Sequence, residues 1–303
     1  MQEDPKLVSD FRFTNYLYVS ALVLLYYDHF LTFGLEVNLI WMRPFGISSF
    51  LFCLNRYFLS LGNIVVAYSL FSTSISPSRS DNVCKHLSLY HEILLGIAQV
   101  IVCVNLSLRI YAIYARSRRV LVSLSCVFTV LVIVVLITNF YQRSIDPAQF
   151  GGCHITNVGL VEATKTATFW EVVFVYDVII FSFFVRRALQ LRKDFGRRTR
   201  RSDGPPTILK ILIRDGFIYF IIMALANLIN IFFLYFSDLR SALSGLASSI
   251  SITMMSRLIL NLHQTAEEGL YSTISYSPSF DIITPIEQSS ADAEEYGTSF
   301  EMT

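Results

Sequence analysis

The sequence predicts an all-α polytopic membrane protein, a bundle of seven transmembrane helices with the N-terminus outside and the C-terminus in the cytosol. Three observations carry this. Of 303 residues, 53% are hydrophobic and only 16% are charged, where a soluble domain carries about 25% charged residues. Apolar runs of about 20 residues recur along the chain, the length a helix needs to cross a bilayer. All eight prolines fall outside these runs, as expected of a residue that breaks the helical hydrogen-bond ladder. In hydrocarbon the backbone must satisfy its own polar groups, so the runs are helices.

The expected order starts with an extracellular N-terminus, residues 1–13. It is not a secretory n-region, and the run after it is too long for a cleaved signal, so the first span inserts uncleaved. Spans follow at 14–35, 47–71, 86–115, 120–140, 167–189, 208–236 and 241–262. The seventh is rich in Ser, Ala and Gly (SALSGLASSISITMM). Small residues suit close packing inside a bundle better than exposure to lipid. The transmembrane domain closes at 263. Residues 264–303 lack Lys and Arg but carry eight acids and many Ser and Thr, which predicts a disordered acidic cytosolic tail. It either solubilises or, once phosphorylated, docks to arginines.

Orientation follows the distribution of Lys and Arg in short loops. With the N-terminus outside, the inner loops hold thirteen: Arg43, Arg116, Arg118, Arg119, Arg186, Arg187, Arg192, Lys193, Arg197, Arg198, Arg200, Arg201 and Lys210. The outer side holds seven: Lys6, Arg12, Arg79, Lys85, Arg143, Lys165 and Arg240. The stretch Arg186–Lys210 decides the assignment. It is also the expected meeting place for anionic lipid or a cytosolic signalling partner, at about 1 kcal/mol per basic residue near a charged surface. The plasma membrane or another membrane of the secretory pathway is the expected residence.

Three sets of charged residues fall inside spans, where charge is costly and pairs or marks a site. Asp28 and Arg56 lie at equal depth, roughly 15 Å, on neighbouring antiparallel helices, which predicts an ion pair. It either fixes helix register or acts as a switch or proton site. Arg109, Arg214, Asp215 and Arg257 lie at roughly 10 Å from the cytosolic face. They either form a polar lock joining spans 3, 6 and 7 or snorkel to the interface. Glu92, Glu171 and Asp177, with Trp170 beside them, lie toward the other face. They either line a ligand crevice for a cationic or amine-bearing small molecule or pair with outer-loop bases. Of five cysteines, Cys84 and Cys153 are on the outer side, where disulfides persist, and are expected to bridge.

Chemistry beyond binding has little support. The five histidines are scattered, and no set of three ligands on one side fits a zinc hydrolase. No catalytic residue, metal or cofactor is expected, and no nucleic-acid partner.

Several short motifs occur together: Asp28-His29, Glu36-Val37, Ile40-Trp41 and Asn55-Arg56-Tyr57, then Leu108-Arg109-Ile110-Tyr111, Arg214-Asp215-Gly216, and Ser256-Arg257-Leu258 with Leu260-Asn261-Leu262. In this combination the chain resembles seven-helix membrane proteins of mushroom-forming fungi catalogued under domain of unknown function 6533. That domain covers the first two spans; the later motifs commonly follow it. The resemblance implies the fold and supplies no activity. The architecture is also similar to that of G-protein-coupled receptors, with seven spans, an outer cysteine pair, a basic third inner loop and a Ser/Thr-rich tail. The chain departs from them in lacking prolines in spans 5, 6 and 7. It has Leu108-Arg109-Ile110 where those receptors have DRY, and Leu260-Asn261-Leu262-His263 in place of NPxxY. The function expected from this analogy is a receptor-like, non-enzymatic protein; the alternative is a small-molecule or ion transporter or channel using Asp28, Arg56 and Asp177, and an intramembrane enzyme ranks below both.

Overall fold

The computed structural model describes residues 5–71, 81–142, 160–198, 207–236 and 242–275. They form seven helices: α1 Pro5–Glu36, α2 Ile47–Phe71, α3 Asp81–Ile113, α4 Arg118–Gln142, α5 Leu160–Arg198, α6 Thr207–Phe236 and α7 Ser244–Ser275. No strand occurs among the described residues. Each of the seven is long and apolar enough to cross a membrane, so the expected all-α bundle stands. The bundle belongs to a compact unit of residues 1–266; a second unit, 267–303, begins within α7.

Several helices run past the expected spans, α5 from 160 to 198 among them, and two of the extended ends bear on the site. α1 does not stop at residue 35 but continues through a π-helical turn, Val37–Trp41. π-turns arise where an extra residue is fitted into a helix and are frequent at functional sites. α7 runs to Ser275, so the segment expected to be an irregular tail from residue 264 is helical for its first twelve residues. Gln264, Ala266, Glu267, Glu268 and Leu270 are good helix formers, and the helix extends past the apolar stretch on their propensity. The rest of the expected tail, 276–303, lies outside the described residues.

α3 and α7 are the most deeply enclosed of the seven helices. α3 packs against α2, α4 and α5, and α5 packs against α3, α4 and α6. α4 is peripheral: Val122, Val130, Ile133, Leu136 and Ile137 are all exposed, an apolar surface suited to lipid. The main core joins Leu25, Phe52, Leu59, Leu106, Ile110, Ile180, Met223, Ile252 and Met255. Because lipid is as apolar as a leucine side chain, such burial does not drive helices together in a membrane; packing and interhelical hydrogen bonds do. α7 supplies the polar part. Ser248, Ser249, Ser251, Thr253 and Ser256 are all buried, as expected of a Ser-rich helix packed inside a bundle.

The turn between α3 and α4 is tight. Ala115 and Arg116 both take positive φ, 52° and 59°. The Arg116 amide donates to the Tyr111 carbonyl at 3.0 Å. This six-to-one bond ends α3 in the left-handed manner usual for helix termini.

Candidate functional site: a buried ionic network joining α1, α2 and α7

The densest polar chemistry lies where α1, the π-turn, α2 and α7 meet. Arg56 on α2 is its centre. Its Nε lies 2.7 Å from Oε2 of Glu36, with side-chain exposures of 1% and 0%. The contact is Coulombic rather than an aligned hydrogen bond, since neither atom has a hydrogen-bond partner. Nη2 of Arg56 donates to the His29 carbonyl and to Oγ1 of Thr32, both at 2.8 Å. The guanidinium also stands 5.7 Å from the Phe52 ring centroid.

Glu36 is held by two more donors on its other oxygen. Tyr57 donates its hydroxyl at 2.7 Å and Trp41 its indole N–H at 3.1 Å, both to Oε1. The π-turn brings Trp41 back to the carboxylate five residues earlier, so the helical irregularity has a specific consequence here. Trp41 is held in turn by an edge contact from Phe33 at 5.8 Å. A buried carboxylate with an opposite charge and two hydrogen-bond donors meets the condition for tolerating charge away from water.

Two further links tie this pair into the bundle. His29 places Nδ1 at 2.7 Å from the Leu25 carbonyl, and Nε2 at 2.9 Å from Oγ of Ser60 and 3.1 Å from the Arg56 carbonyl. Asn55, beside Arg56, points the other way. Its Nδ2 donates to the Ile252 carbonyl at 3.2 Å and to Oγ of Ser256 at 3.1 Å, fixing α2 to α7.

Asp28 completes the network. Nε of Arg257 donates to its Oδ1 at 2.5 Å. The two side chains differ sharply in exposure, 38% for Arg257 and 4% for Asp28. One ionic contact, Arg56–Glu36, is sealed; the other, Arg257–Asp28, has one partner at the surface.

The network was only partly legible in sequence. Asp28 and Arg56 are both in it, but they do not pair with each other: Arg56 turns to Glu36 and Asp28 to Arg257. The reason is the extension of α1. With α1 continued to Trp41, Glu36 is a helical residue inside the span rather than a loop residue, and the long Arg56 side chain reaches it. Of the residues expected in the polar lock, Arg109, Arg214, Asp215 and Arg257, Arg257 pairs with Asp28 on α1. The side chains of Arg214 and Asp215 lie outside the described residues, and Arg109 makes no ion pair among those described. The signals that could have found Glu36 and Trp41 were their adjacency to span 1 and the rarity of a carboxylate there.

The residues expected to line a ligand crevice have separate surroundings. Trp170 is 2% exposed and sealed in a small cluster with Ala167, Leu234 and Ala247. Glu171 accepts a 2.5 Å hydrogen bond from the Tyr235 hydroxyl. Asp177 is buried and accepts a 2.7 Å bond from Nδ2 of Asn227, whereas Glu92 is exposed on α3. The four differ in environment: Trp170 and Asp177 are buried, Glu171 is half-buried and Glu92 is exposed. Cys153 and the side chain of Cys84 lie outside the described residues. Of the basic stretch, Arg187 is drawn back onto α3: Nε donates to the Ile113 carbonyl at 3.3 Å, and its guanidinium stands over the Tyr114 ring at 5.5 Å.

Comparison with known proteins bears on one part of the chain. Residues 16–61 match DUF6533, a family of unknown function. No curated protein and no solved structure matches the chain. The DUF6533 segment contains Asp28, His29, Thr32, Glu36, Trp41, Asn55, Arg56, Tyr57 and Ser60, the whole α1–α2 side of the network. Only the α7 contributors, Ile252, Ser256 and Arg257, lie beyond it. Seven apolar helices together with this match describe an integral membrane protein in contact with lipid.

Proposed function

We propose that this protein is a receptor-like, non-enzymatic membrane protein in which the Asp28–Arg257 contact is a latch between α1 and α7. The observation that carries this reading is the contrast between the two ion pairs. Arg56–Glu36 has both partners buried, and opening it would strand a charge at several kcal/mol. Arg257 is more than a third exposed, so its guanidinium can extend to the interface, and Asp28, left buried at 4% exposure, is neutralised by taking up a proton when it does. A sealed pair beside an openable one gives a fixed α1–α2 unit and a movable α7, the kind of two-state element that switching requires. Asn55 is the pivot, since its bonds to Ile252 and Ser256 hold α7 five residues and one residue before Arg257.

In this reading the N-terminus faces outside and the basic stretch Arg186–Lys210 faces the cytosol, in line with the distribution of positive charge. Arg186 and Lys193 are exposed and would face a signalling partner or anionic lipid. Epitope tags that place this stretch on the outer surface would reverse the assignment.

The latch is tested by distance measurement between spin labels at Met42→Cys and Ala266→Cys in a background freed of the native cysteines. Both positions are exposed. Asp28→Asn should shift the distribution toward longer separations. A distribution unchanged by Asp28→Asn and by Arg257→Gln removes the latch. Solute uptake by the purified protein in liposomes would replace signalling with transport.

A further inference from the structure

The Asp28–Arg257 contact has an open side. On α7, every residue from Ala247 to Leu260 is buried except Ile250, Met254 and Arg257. These are four and three residues apart, so they share one helix face, and it is the face α7 turns away from the bundle. On α1, Leu24, Leu31 and Leu35 are all exposed. They lie four residues before Asp28 and three and seven after it, on the same side of the helix. The backbones of α1 and α7 are not closely packed, and the long Arg257 side chain bridges the space. Between the two helices runs an apolar groove with one ion pair in its wall.

Depth gives this groove its chemistry. Arg257 lies thirteen residues after Ser244 and ten before Glu267, the two ends of its span. At 1.5 Å per residue it is about 15 Å from the nearer end, close to the middle of a hydrocarbon core about 30 Å thick. Among the described residues only its Nε is engaged, by Asp28. Nη1 and Nη2 carry four more N–H donors, and acyl chains accept no hydrogen bond. A half-exposed guanidinium at this depth calls for an acceptor that arrives through the membrane.

We propose that the groove between α1 and α7 binds a single-chain fatty acid, its carboxyl at Arg257 and its acyl chain along the exposed leucines of α1 and Ile250 and Met254 of α7. Charge balance selects the class. Asp28 already neutralises Arg257, so a head group with a permanent negative charge would bring an uncompensated charge into hydrocarbon. A carboxylic acid arrives neutral. Its O–H proton passes to the Asp28 carboxylate, the Nε–Asp28 contact is released, and the ligand carboxylate takes Nη1 and Nη2 in a two-point contact. One proton moves between two carboxyl groups of similar acidity, and the net charge of the site is unchanged. The ligand itself supplies the proton that Asp28 needs when the latch opens. The assignment rests on the latch read above and names its ligand.

The test is binding of radiolabelled lauric acid to the full-length protein in phosphatidylcholine nanodiscs, with empty nanodiscs as background. Binding should saturate at one per protein. Because a proton enters with each ligand, affinity should fall about tenfold per pH unit wherever free lauric acid is ionised. Asp28→Asn removes the acceptor for that proton and should bind laurate without this pH dependence. Adding Arg257→Gln to Asp28→Asn strands no charge and should abolish binding. Methyl laurate, which has no acid, and lysophosphatidic acid of the same chain length should not displace the probe. Absence of saturable binding to the wild type overturns the proposal, as does binding that survives in the double variant, an unchanged pH slope in Asp28→Asn, or displacement by either analogue. The spin-label pair at Met42→Cys and Ala266→Cys separates this site from the latch. Binding that requires Arg257 but leaves those distances unchanged refutes the latch alone; distances that lengthen in Asp28→Asn without any binding of lauric acid refute the ligand alone.

Discussion

Arg56 and Glu36 are sealed against each other: 2.7 Å separates Nε from Oε2, and neither side chain exceeds 1% exposure. A pair this buried differs in kind from a surface salt bridge. Its net worth against an apolar replacement is small, because both charges have been removed from water. Its worth against loss of one partner is large, because the survivor stays buried.

That asymmetry gives a prediction. Glu36→Ala should destabilise the protein by about 3–5 kcal/mol, the cost of stranding a buried charge. The double replacement Glu36→Leu with Arg56→Met should recover most of that loss. Denaturation of the detergent-solubilised protein measures both. A single variant that loses less than about 1 kcal/mol would show that water or lipid headgroups reach Arg56 after all.

Tyr57 and Trp41 test how Glu36 is held. Each donates to the same oxygen, and a hydrogen bond to a charged group contributes about 1.5–3 kcal/mol. Tyr57→Phe and Trp41→Phe should each cost within that range. Combined, they should deviate from additivity, since both act on one carboxylate atom. Strict additivity in a double-mutant cycle would mean that the two donors do not share Glu36.

Those partners also show where reading the sequence succeeds and where it stops. Seven spans follow from hydropathy alone, because lipid leaves long apolar runs no alternative to a helix. The presence of Asp28 and Arg56 in a charged site also follows, because intramembrane charge is rare. Which acid meets which base does not follow. That depends on α1 persisting through the π-turn to Trp41, and a π-turn has no local signature in VNLIW. The same limit applies to Arg257. Its depth matched Arg109 and Asp215, but depth does not say which face of α7 it occupies, and it faces α1. Glu92, Glu171 and Asp177 share a half of the bundle for the same reason, yet occupy exposed, half-buried and buried positions.

The half-exposed latch should behave differently from the sealed pair. Arg257→Gln leaves the carboxylate of Asp28, 4% exposed, without its partner, so it should cost more than Asp28→Asn. Asp28→Asn should cost little, because the amide keeps the shape and Arg257, more than a third exposed, is free to reach the interface. The coupling between them should weaken as salt is raised from 0.01 to 1 M, over which the screening length falls from about 30 to 3 Å. A salt-independent coupling of about 3 kcal/mol or more would place this pair in the same class as Arg56–Glu36, and the latch would be a second permanent lock.

Packing between α2 and α3 supplies a prediction free of charge effects. Gly62 on α2 faces Leu94 on α3 so closely that a β-carbon placed there would meet both δ-carbons and the γ-carbon of Leu94. Leu94 is 4% exposed and belongs to the main core, so it has little room to withdraw. Gly62→Ala should therefore destabilise, by about 1–3 kcal/mol as for other overpacked sites, despite the higher helix propensity of alanine. Leu94→Ala alone should also destabilise, through the cavity it leaves. The two together should be more stable than the sum of their separate losses, since the added methyl occupies part of that cavity. If Gly62→Ala instead raises the melting temperature, α2 and α3 are not in close contact at this level, and the register of the α1–α2 unit against α3 is different.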